Sequence, residues 1–489
     1  MKPLLEAPRP GCHEISVVAL FIASLLSMIQ AAHAADPAVL SFRKVQISDK
    51  FWSEGAAIAD INRDGHADII AGPFWYEGPE FKKRHEIFPA TQTFKRKGAD
   101  GIEGTVEGFE GALGTNNAYS NVFFEFAYDF NHDGWPDILV IGFPGQETVW
   151  YENPGPAAAE TEKQWVKRVL IDGVTNESPA FVDLFATGTP VIVCTGGLRL
   201  GYVAPGVGGV REPWTFHAIS PPLKSLEDLT RTFSGPFNGK PWPFAHGLGY
   251  GDVNRDGRLD VLDSEGWWEQ PASVSGDPTW KFHPWPFLKK RPPAAMQPVL
   301  STKPTDEEIE SLLRYYRWPY ALGGAQIYVY DVNGDGLPDI ISSLDAHGYG
   351  LVWFEQLPRA RSDHDIQFRP HFIMKAGPSG NSHQVSFTQL HALSLVDLEG
   401  RGVKDLITGK RFWAHGPHGS DPETNAPAVL YSFRLVPHRN PGLEYMPFLI
   451  DDDSGVGTQI ATGDVNGDGL LDIVVSNKKG TFLFLQQRK

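Results

Sequence analysis

Five segments of the chain repeat the motif Asp-x-Asn-x-Asp-Gly-x-x-Asp, in which each chemically active side chain is an oxygen donor. Three carboxylates and one amide within nine residues can converge on a hard cation, and the backbone carbonyl near position seven can add a further ligand. Glycine at position six permits the sharp turn that this convergence needs. Oxygen-only ligands favour Ca²⁺ over zinc or copper. The sequence therefore predicts about five structural calcium sites, whose ligands are Asp60, Asn62, Asp64, Asp68, Asp129, Asn131, Asp133, Asp137, Asp252, Asn254, Asp256, Asp260, Asp331, Asn333, Asp335, Asp339, Asp464, Asn466, Asp468 and Asp472.

Two further segments keep the outline of this motif but lose ligands. One begins at Asp183 and lacks the later carboxylates, and the other begins at Asp397 and has Arg401 in place of the middle aspartate. We expect neither to bind calcium in the same way. Counting these two, the motifs recur at intervals of 54 to 79 residues, a period that is typical of a repeat architecture.

Short apolar strands surround each motif and must position it. One strand leads into the acidic loop, a second leaves it, and a third is aromatic, as in Phe74-Trp75-Tyr76 and Val149-Trp150-Tyr151. A fourth strand follows, as in 165–170. Four strands repeated seven times predict an all-β, seven-bladed β-propeller, with the aromatic rings packed between blades. The blades are expected to start near residues 54, 121, 178, 246, 325, 391 and 458.

The two ends of the repeat array are incomplete in complementary ways. The last unit stops after its third strand, at 482–487, whereas residues 41–48 look like a fourth strand without the first three. We therefore expect 41–48 to complete the last blade as its outer strand and to close the ring. Residues 35–489 would then form a single propeller domain.

The N-terminal residues 1–34 are typical of a signal peptide. Lys2 and Arg9 precede the apolar run 15–29, and Ala32-His33-Ala34 supplies the small-x-small cleavage pattern. The apolar run is short for a membrane-spanning helix, although an uncleaved anchor is the alternative. We therefore expect a secreted or periplasmic protein with no membrane span after cleavage.

Composition excludes several classes of function. The chain carries 43 Lys and Arg against 59 Asp and Glu, a net charge of −16, which argues against a nucleic-acid partner. Its only cysteines are Cys12 and Cys194, too few for a disulfide framework or a Cys-x-x-Cys zinc site. The sequence leaves a protein partner open.

Polar side chains at the opposite ends of the strands form a second candidate site. Because the acidic loop joins the first strand to the second, the start of one and the end of the other share the face opposite the metal. The innermost strands line the central channel of a propeller, so side chains there should converge at one mouth. A pocket for a carbohydrate or another oxygen-rich ligand is one interpretation, and a solvated rim is the other. The candidate residues are Glu54, His246, His391, Asp263, Glu265, Asp345, His347, Lys410, Arg411 and His415.

The acidic loops resemble the FG-GAP or VCBS repeats of bacterial extracytoplasmic proteins and the calcium-binding blades of integrin α-subunits. This resemblance covers residues 41–487 and implies a propeller fold and Ca²⁺. The segments 246–252, 266–270, 346–348 and 408–415 resemble uncharacterised secreted propellers and, more distantly, the propeller domain of aldos-2-ulose dehydratase.

That second resemblance implies an alternative function, a lyase or dehydratase acting on a sugar. His246 or His391 would then take a proton, and Lys410 or Arg411 would stabilise the enolate-like oxyanion. Fold alone does not choose between a binding protein and an enzyme. Clustering of these four residues would favour the enzyme, and dispersal around the rim would favour the binder.

Long insertions and clustered histidines complete the candidates. Insertions at 90–120, 220–245 and 288–322 are long enough to be lids over the same face. The third contains a predicted helix after Pro304, with Thr305 and Glu308 as a capping box, which is expected to be a lid or a partner-binding helix. In the sixth unit, His383, His391, His415 and His418 could bind a transition metal, although no His-x-x-His spacing on one secondary-structure element supports this.

Overall fold

Short strands joined by tight turns make up the described part of the chain, in line with its 51 glycines and 39 prolines. Residues Phe42–Gln486 cluster into one unit in a computed structural model. No helix among the described residues is long and apolar enough to cross a membrane. The residues that the structure describes are 40–90, 94–97, 103–106, 119–158, 165–196, 199–221, 245–285, 287, 323–359, 366–377, 383–416, 419, 421–437 and 443–488.

Thirty strands are present in these residues, together with one 3₁₀ turn at Gly155–Ala157. In the first half of the chain they are β1 (Phe42–Ser48), β2 (Ala57–Ala59), β3 (Asp68–Ala71), β4 (Phe74–Tyr76), β5 (Arg84–Glu86), β6 (Phe94–Lys97), β7 (Glu103–Val106), β8 (Phe124–Tyr128), β9 (Asp137–Ile141), β10 (Thr148–Glu152), β11 (Val166–Ile171), β12 (Ala180–Val182), β13 (Val191–Gly196), β14 (Arg199–Ala204) and β15 (Thr215–Ala218). In the second half they are β16 (Leu248–Gly251), β17 (Asp260–Asp263), β18 (Gly266–Glu269), β19 (Lys281–Pro284), β20 (Gln326–Tyr330), β21 (Asp339–Ser343), β22 (Leu351–Leu357), β23 (Gln367–Met374), β24 (Leu393–Val396), β25 (Asp405–Gly409), β26 (Leu430–Pro437), β27 (Leu443–Asp451), β28 (Ile460–Gly463), β29 (Asp472–Asn477) and β30 (Gly480–Gln486).

These strands build a β-propeller from antiparallel four-stranded units. Five units are separate sheets, with the orders β2-β3-β4-β5, β8-β9-β10-β11, β12-β13-β14-β15, β24-β25-β26-β27 and β28-β29-β30-β1. Strands β6 and β7 form a hairpin of their own within the insertion at 90–120. The all-β propeller fold predicted from the sequence is therefore confirmed.

The prediction of seven separate blades is wrong, because the remaining eight strands form one continuous sheet, β19-β18-β17-β16-β20-β21-β22-β23. Two antiparallel meanders are joined there by parallel pairing of β16 with β20. Glycines permit this close approach. A Cβ atom on Gly249 would lie 2.0 Å from the carbonyl oxygen of Ile327, and one on Gly251 would lie 2.3 Å from the Cβ of Val329.

Strand β1 pairs antiparallel with β30 at the outer edge of the sheet that contains β28 and β29. Phe42 faces Gln486 and Val45 faces Leu483 in this ladder. The side chain of Lys44 adds an ion pair of 2.7 Å with Asp451, which ends β27 in the preceding unit. The N-terminal strand thus occupies the outer position that the sequence predicts for 41–48.

Aromatic third strands form the packing layers of the units, as predicted. Trp75 and Trp150 have no exposed surface. Trp75 stacks on His85 of β5 with 4.0 Å between ring centroids, and His85 in turn lies 2.8 Å from the Glu77 carboxylate. The same tryptophan–histidine–glutamate arrangement recurs at Trp267, His283 and Glu269, and at Trp353, His371 and Glu355. Several histidines therefore fasten fourth strands to third strands.

Candidate functional site

The five complete acidic loops share one backbone geometry. In the first loop, Asp60 accepts hydrogen bonds from the N–H groups of Asp64 and Gly65, each at 3.0 Å. Positions four and six have left-handed backbone, with φ of 56° at Arg63 and 90° at Gly65. Equivalent N–H bonds to the first aspartate are present at Asp129, Asp252, Asp331 and Asp464.

The aspartate at position nine of each acidic loop is buried and fixes the loop to its own unit by hydrogen bonds. Asp68 accepts hydrogen bonds of 2.8 Å from the N–H groups of Ile61 and Gly78. Burial raises the pKa of Asp68 to about 6 and the pKa values of Asp137 and Asp260 to about 7, with neighbouring loop aspartates adding to the effect. The ninth carboxylate therefore has a structural role before any metal is considered.

The donor chemistry of these loops fits a hard cation, because the side chains at positions one, three and five are all oxygen donors close to one turn. These aspartates are nonetheless absent from the described groups of three or more His, Cys, Asp or Glu side chains whose donor atoms lie within 4.8 Å of one another. The aspartates at positions one, five and nine of one loop therefore do not all converge within that distance. In four loops the asparagine at position three donates an amide hydrogen bond to the aspartate at position five; these asparagines are Asn62, Asn254, Asn333 and Asn466.

The two degenerate loops fold in the same way without the full ligand set. Asp183 accepts hydrogen bonds from the N–H groups of Thr187 at 2.9 Å and Gly188 at 2.7 Å. In the other loop, the Arg401 guanidinium lies 2.5 Å from the Asp405 carboxylate and 3.3 Å from Glu399. A protein cation therefore stands beside the ninth aspartate of that loop.

At the opposite ends of the strands, side chains from the eight-stranded sheet and the separate four-stranded sheets converge on a buried polar cluster. Arg411, which is only 2% exposed, lies at its centre. Its guanidinium lies 3.0 Å from the Glu54 carboxylate and 3.2 Å from that of Glu177, and it packs 5.3 Å from the ring centroid of Phe123. These partners precede β2, β12 and β8, so one arginine links four units across the channel. We call this group the channel cluster.

Three buried histidines lie beside Arg411 in the channel cluster. His246 precedes β16, His347 follows β21 and His391 precedes β24. Their ring centroids are 5.1 Å apart for His246 and His347, 5.2 Å for His246 and His391, and 4.5 Å for His347 and His391. His347 also stacks on His415 at 4.4 Å, and the His415 side chain is 44% exposed. A row of imidazoles thus leads from the surface into the channel cluster.

Carboxylates and amines complete the channel cluster. Asp421 lies 2.9 Å from His415 Nδ1 and 3.3 Å from His347 Nδ1. Lys410 Nζ donates to Thr388 Oγ1 at 2.9 Å, and Lys478 Nζ donates to the carbonyl of Trp413 at 2.6 Å. Asp345 accepts a hydrogen bond from the backbone N–H of His347 at 2.9 Å.

Burial and neighbouring charges shift the pKa values of several groups in this cluster and so determine which of them are ionised. Burial lowers the pKa of His347 to about 4, and burial together with the Arg411 charge holds the pKa of His391 well below its usual value. Burial alone would raise the pKa of Glu177, but nearby His246 and Arg411 outweigh it and lower that pKa to about 2. Burial lowers the pKa of Lys410 and of Lys478 to about 8. At neutral pH, the neutral imidazoles of His347 and His391 therefore lie beside the ionised pair of Arg411 and Glu177.

The structure brings most of the predicted face residues together, but not all. Glu54, His246, His347, His391 and Arg411 meet in the cluster, Asp345 joins it through the His347 backbone, and His415 lies at its exposed edge. Lys410 is buried and bonded to Thr388 rather than to a carboxylate. Asp263 binds the indole N–H of Trp268 and the backbone N–H of Glu265, so both acidic residues serve the hairpin between β17 and β18.

Three polar members of the cluster were not predicted. Glu177 lies three residues before β12, as Glu54 lies three residues before β2, so superposing the units would have found it. Lys478 is the first residue after β29, as Lys410 is the first after β25, so the same superposition would have found it. Asp421 lies in the connection between β25 and β26, where no repeat pattern marks it.

Other sequence predictions lie elsewhere or outside the described residues. Of the four histidines predicted as a metal site in the sixth unit, His383 forms an ion pair of 2.7 Å with Glu444 and shares no close group of donor atoms with His391 or His415 among the described residues. His418, the signal peptide, the helix after Pro304 and most of the three insertions lie outside the described residues.

Comparisons with known proteins agree with this architecture. The FG-GAP repeat family matches residues 456–482, which contain the last complete acidic loop. The chain is thus a β-propeller with an FG-GAP repeat in its last unit. No curated protein matches the chain significantly.

Two solved structures are among those similar to the chain. One concerns recognition of non-reducing terminal N-acetylglucosamine by an Agrocybe aegerita lectin; it has 12% identity and a TM-score of 0.38, and the match covers 90% of this chain and 87% of that one. The other is the Photorhabdus luminescens Tc holotoxin pore, with 14% identity and a TM-score of 0.34. That match covers 87% of this chain but 18% of the toxin chain.

Proposed function

We propose that this protein is an extracytoplasmic β-propeller that binds a carbohydrate at the channel mouth opposite the acidic loops. The observation that carries the proposal is the channel cluster, in which buried carboxylates, imidazoles and amines from distant segments meet at one end of the strands. Folding does not require such a group, because burying charges costs free energy that apolar packing would avoid. A site that recognises a polar ligand accounts for it.

Hydrogen-bonding chemistry favours a sugar as that ligand. Sugar hydroxyls both donate and accept, and the cluster presents ionised acceptors beside imidazoles that can do either. Phe412 and Trp413 are half-buried, stack on each other at 4.4 Å and lie in sequence between Arg411 and His415. Aromatic rings beside convergent polar groups are common in small-molecule sites.

The proposal extends to architecture, metal and location. The two meanders of the eight-stranded sheet act as two blades, which gives a ring of seven that β1 closes on β30. The five complete acidic loops bind Ca²⁺, mainly through the first, third and fifth side chains, and the ion stabilises the loop. Residues 1–34 direct export to the periplasm or the medium.

A lyase or dehydratase is the second candidate, because the cluster contains neutral buried imidazoles close to lysines of lowered pKa. In this function His391 or His246 would accept the proton from the sugar carbon. Arg411 is already bonded to two carboxylates, so stabilisation of the oxyanion would fall to Lys410 or Lys478 rather than to Arg411.

A glycan and keto-sugar panel tests both candidates on the purified full-length protein. We expect one sugar class to bind, and His415→Ala to weaken that binding at least tenfold, because His415 is the exposed member of the imidazole row. His383→Ala is the matched control, because His383 is paired with Glu444. New ultraviolet absorption from a carbon–carbon double bond during incubation would establish the lyase. Absence of binding and turnover across the panel, or equal loss in both variants, would overturn the proposal.

A further inference from the structure

We propose that His246, His347 and His391 form a binding site for one divalent transition-metal ion of the zinc type, separate from the acidic loops. This inference goes beyond sugar binding and does not depend on it, although both concern the channel cluster. The three histidines come from the ends of different strands and are far apart in sequence, so only the assembled propeller creates the site.

Distance is the first argument for a shared ion. One nitrogen of each ring lies within 4.8 Å of a nitrogen of each of the other two. Zinc–nitrogen bonds are about 2.0–2.1 Å long, so small rotations of the rings would bring all three nitrogens onto one ion. Among the described residues, the other group that meets this distance criterion consists of His347, His415 and Asp421 and shares His347 with the first.

An unsatisfied buried nitrogen is the second and independent argument. His246, His347 and His391 are 6%, 8% and 2% exposed, and Nε2 of His391 has no hydrogen-bond partner among the described residues. Buried polar atoms are nearly always hydrogen-bonded, so this exception beside two other imidazoles needs a reason. The other nitrogen of the His391 ring, Nδ1, lies 3.3 Å from the backbone carbonyl of Gln389.

Neighbouring oxygens are arranged as in metal-binding histidine sites. An oxygen lies 3.3 Å from one nitrogen of each ring: Glu177 Oε2 at His246, Asp421 Oδ1 at His347 and the Gln389 carbonyl at His391. Metal-binding histidines typically donate their second N–H to a carboxylate or carbonyl, which fixes the ring orientation. Imidazole ligands favour Zn²⁺, Cu²⁺, Ni²⁺ or Fe²⁺ over Ca²⁺.

The ligand count further defines the ion's role. Three histidines leave a fourth position of a tetrahedral site open, as in zinc sites that bind water or a substrate oxygen. The open position would lie near the stacked His347 and His415 rings, which connect the three-histidine group to the surface. A bound sugar could supply the fourth oxygen ligand.

Metal titration of the full-length protein tests the proposal directly. The protein is stripped with a chelator, returned to excess Ca²⁺ and titrated with Zn²⁺ by calorimetry and with Co²⁺ by visible absorption. We expect one site per chain that Ca²⁺ does not fill, with the intense visible bands of four-coordinate Co²⁺. His391→Gln should weaken Zn²⁺ binding at least about 100-fold, and Asp421→Asn by about 10-fold, since partners of metal-bound histidines typically contribute 10–100-fold.

His383→Gln is the matched control and should leave affinity and the cobalt spectrum unchanged. If the wild-type protein takes up no stoichiometric Co²⁺ or Zn²⁺ in the presence of Ca²⁺, the site does not exist. Equal weakening by His383→Gln and His391→Gln would also overturn it. If His391→Gln fails to fold, the proposal is still tested by the metal stoichiometry and cobalt spectrum of the wild-type protein and by the Zn²⁺ affinity of Asp421→Asn. If the wild-type protein binds the metal ion but binds no sugar of the panel, the proposed function is contradicted and the metal site is not.

Discussion

At the scale of single residues, the central feature is a buried arginine whose charge is already neutralised within the protein. Arg411 is bonded to Glu54 and Glu177, so it is not free to stabilise an oxyanion, the role that the resemblance to a sugar dehydratase implied for it. Removing one partner from a buried ion pair leaves an uncompensated charge, which is strongly destabilising. Loss of function in an Arg411 variant would therefore report on folding as well as on binding. The exposed His415 is a better probe of ligand contact.

Glu125 gives a residue-scale prediction about pH. It is fully buried in β8, and one carboxylate oxygen accepts a hydrogen bond from the N–H of Gly72 at 2.9 Å. Burial raises its pKa well above the model-compound value of 4.5. Below pH 4.5 the carboxyl group is protonated in both folded and unfolded chains. Above that pH the unfolded chain ionises first, so this group lowers folding stability by about 1.4 kcal/mol per pH unit until the folded pKa is reached.

Glu125→Gln should therefore raise the melting temperature at pH 6 and at pH 8, and have little effect at pH 4. Thermal unfolding followed by circular dichroism at these three pH values measures the difference. Glu212→Gln, at an exposed position, is the matched control and should leave the melting temperature unchanged throughout. A shift for Glu125→Gln that is the same at every pH would contradict this account.

At the scale of elements, the acidic loop is a backbone turn whether or not it binds a cation. The first aspartate binds two backbone N–H groups in complete and degenerate loops alike. Left-handed backbone is likewise shared, with φ of 52° at Ala186 and 81° at Gly188 in the degenerate loop. The turn therefore survives loss of the other carboxylates, and those carboxylates are what calcium binding would use.

Asp60 in a complete loop and Asp183 in a degenerate loop form a matched pair for testing calcium binding. Asp60→Asn and Asp183→Asn weaken the same backbone hydrogen bonds, but only Asp60 belongs to a complete ligand set. Without calcium, the two variants should lose similar stability. With calcium, the wild-type melting temperature should rise, because an ion that binds only the folded state stabilises it. The Asp60→Asn variant should gain less than Asp183→Asn, as scanning calorimetry with and without a chelator would measure. Identical melting curves of the wild-type protein in both conditions would refute calcium binding.

At the scale of the whole molecule, β1 joins the two ends of the chain. It forms an antiparallel ladder with β30, and Lys44 pairs with Asp451 of the neighbouring unit. Without β1, the long strand β30 would be an unpaired edge, which is a site for aggregation. β1 therefore protects the outer edge of the last sheet, and in the proposed ring it would also hold that sheet beside the first.

Truncation tests this role. Deleting residues 35–48 from the mature chain should lower the urea midpoint substantially and promote aggregation, because the outer strand and its hydrogen bonds are lost. Deleting only 35–39 is the control and should have little effect. Similar midpoints for the two truncations would show that pairing of β1 with β30 does not stabilise the protein.

The sequence by itself determined the repeat and therefore most of the fold. Periodic motifs such as Asp60 to Asp68, with apolar strands at fixed offsets, encode local structure that each unit forms from its own residues. The first strands begin one to three residues after the predicted blade starts, for example at Leu248 where 246 was expected. The outer position of β1 could also be predicted, because an unpaired strand at one end matched a missing strand at the other.

Tertiary structure decided what the sequence could not. The fusion of two meanders through Gly249 depends on how closely two backbones approach, which periodicity does not specify. The channel cluster depends on contacts between residues such as Arg411 and Glu54, which are 357 positions apart and meet only when the sheets pack together. Local patterns report which face a side chain occupies. Which side chains meet across the channel is fixed only when all the units are packed together.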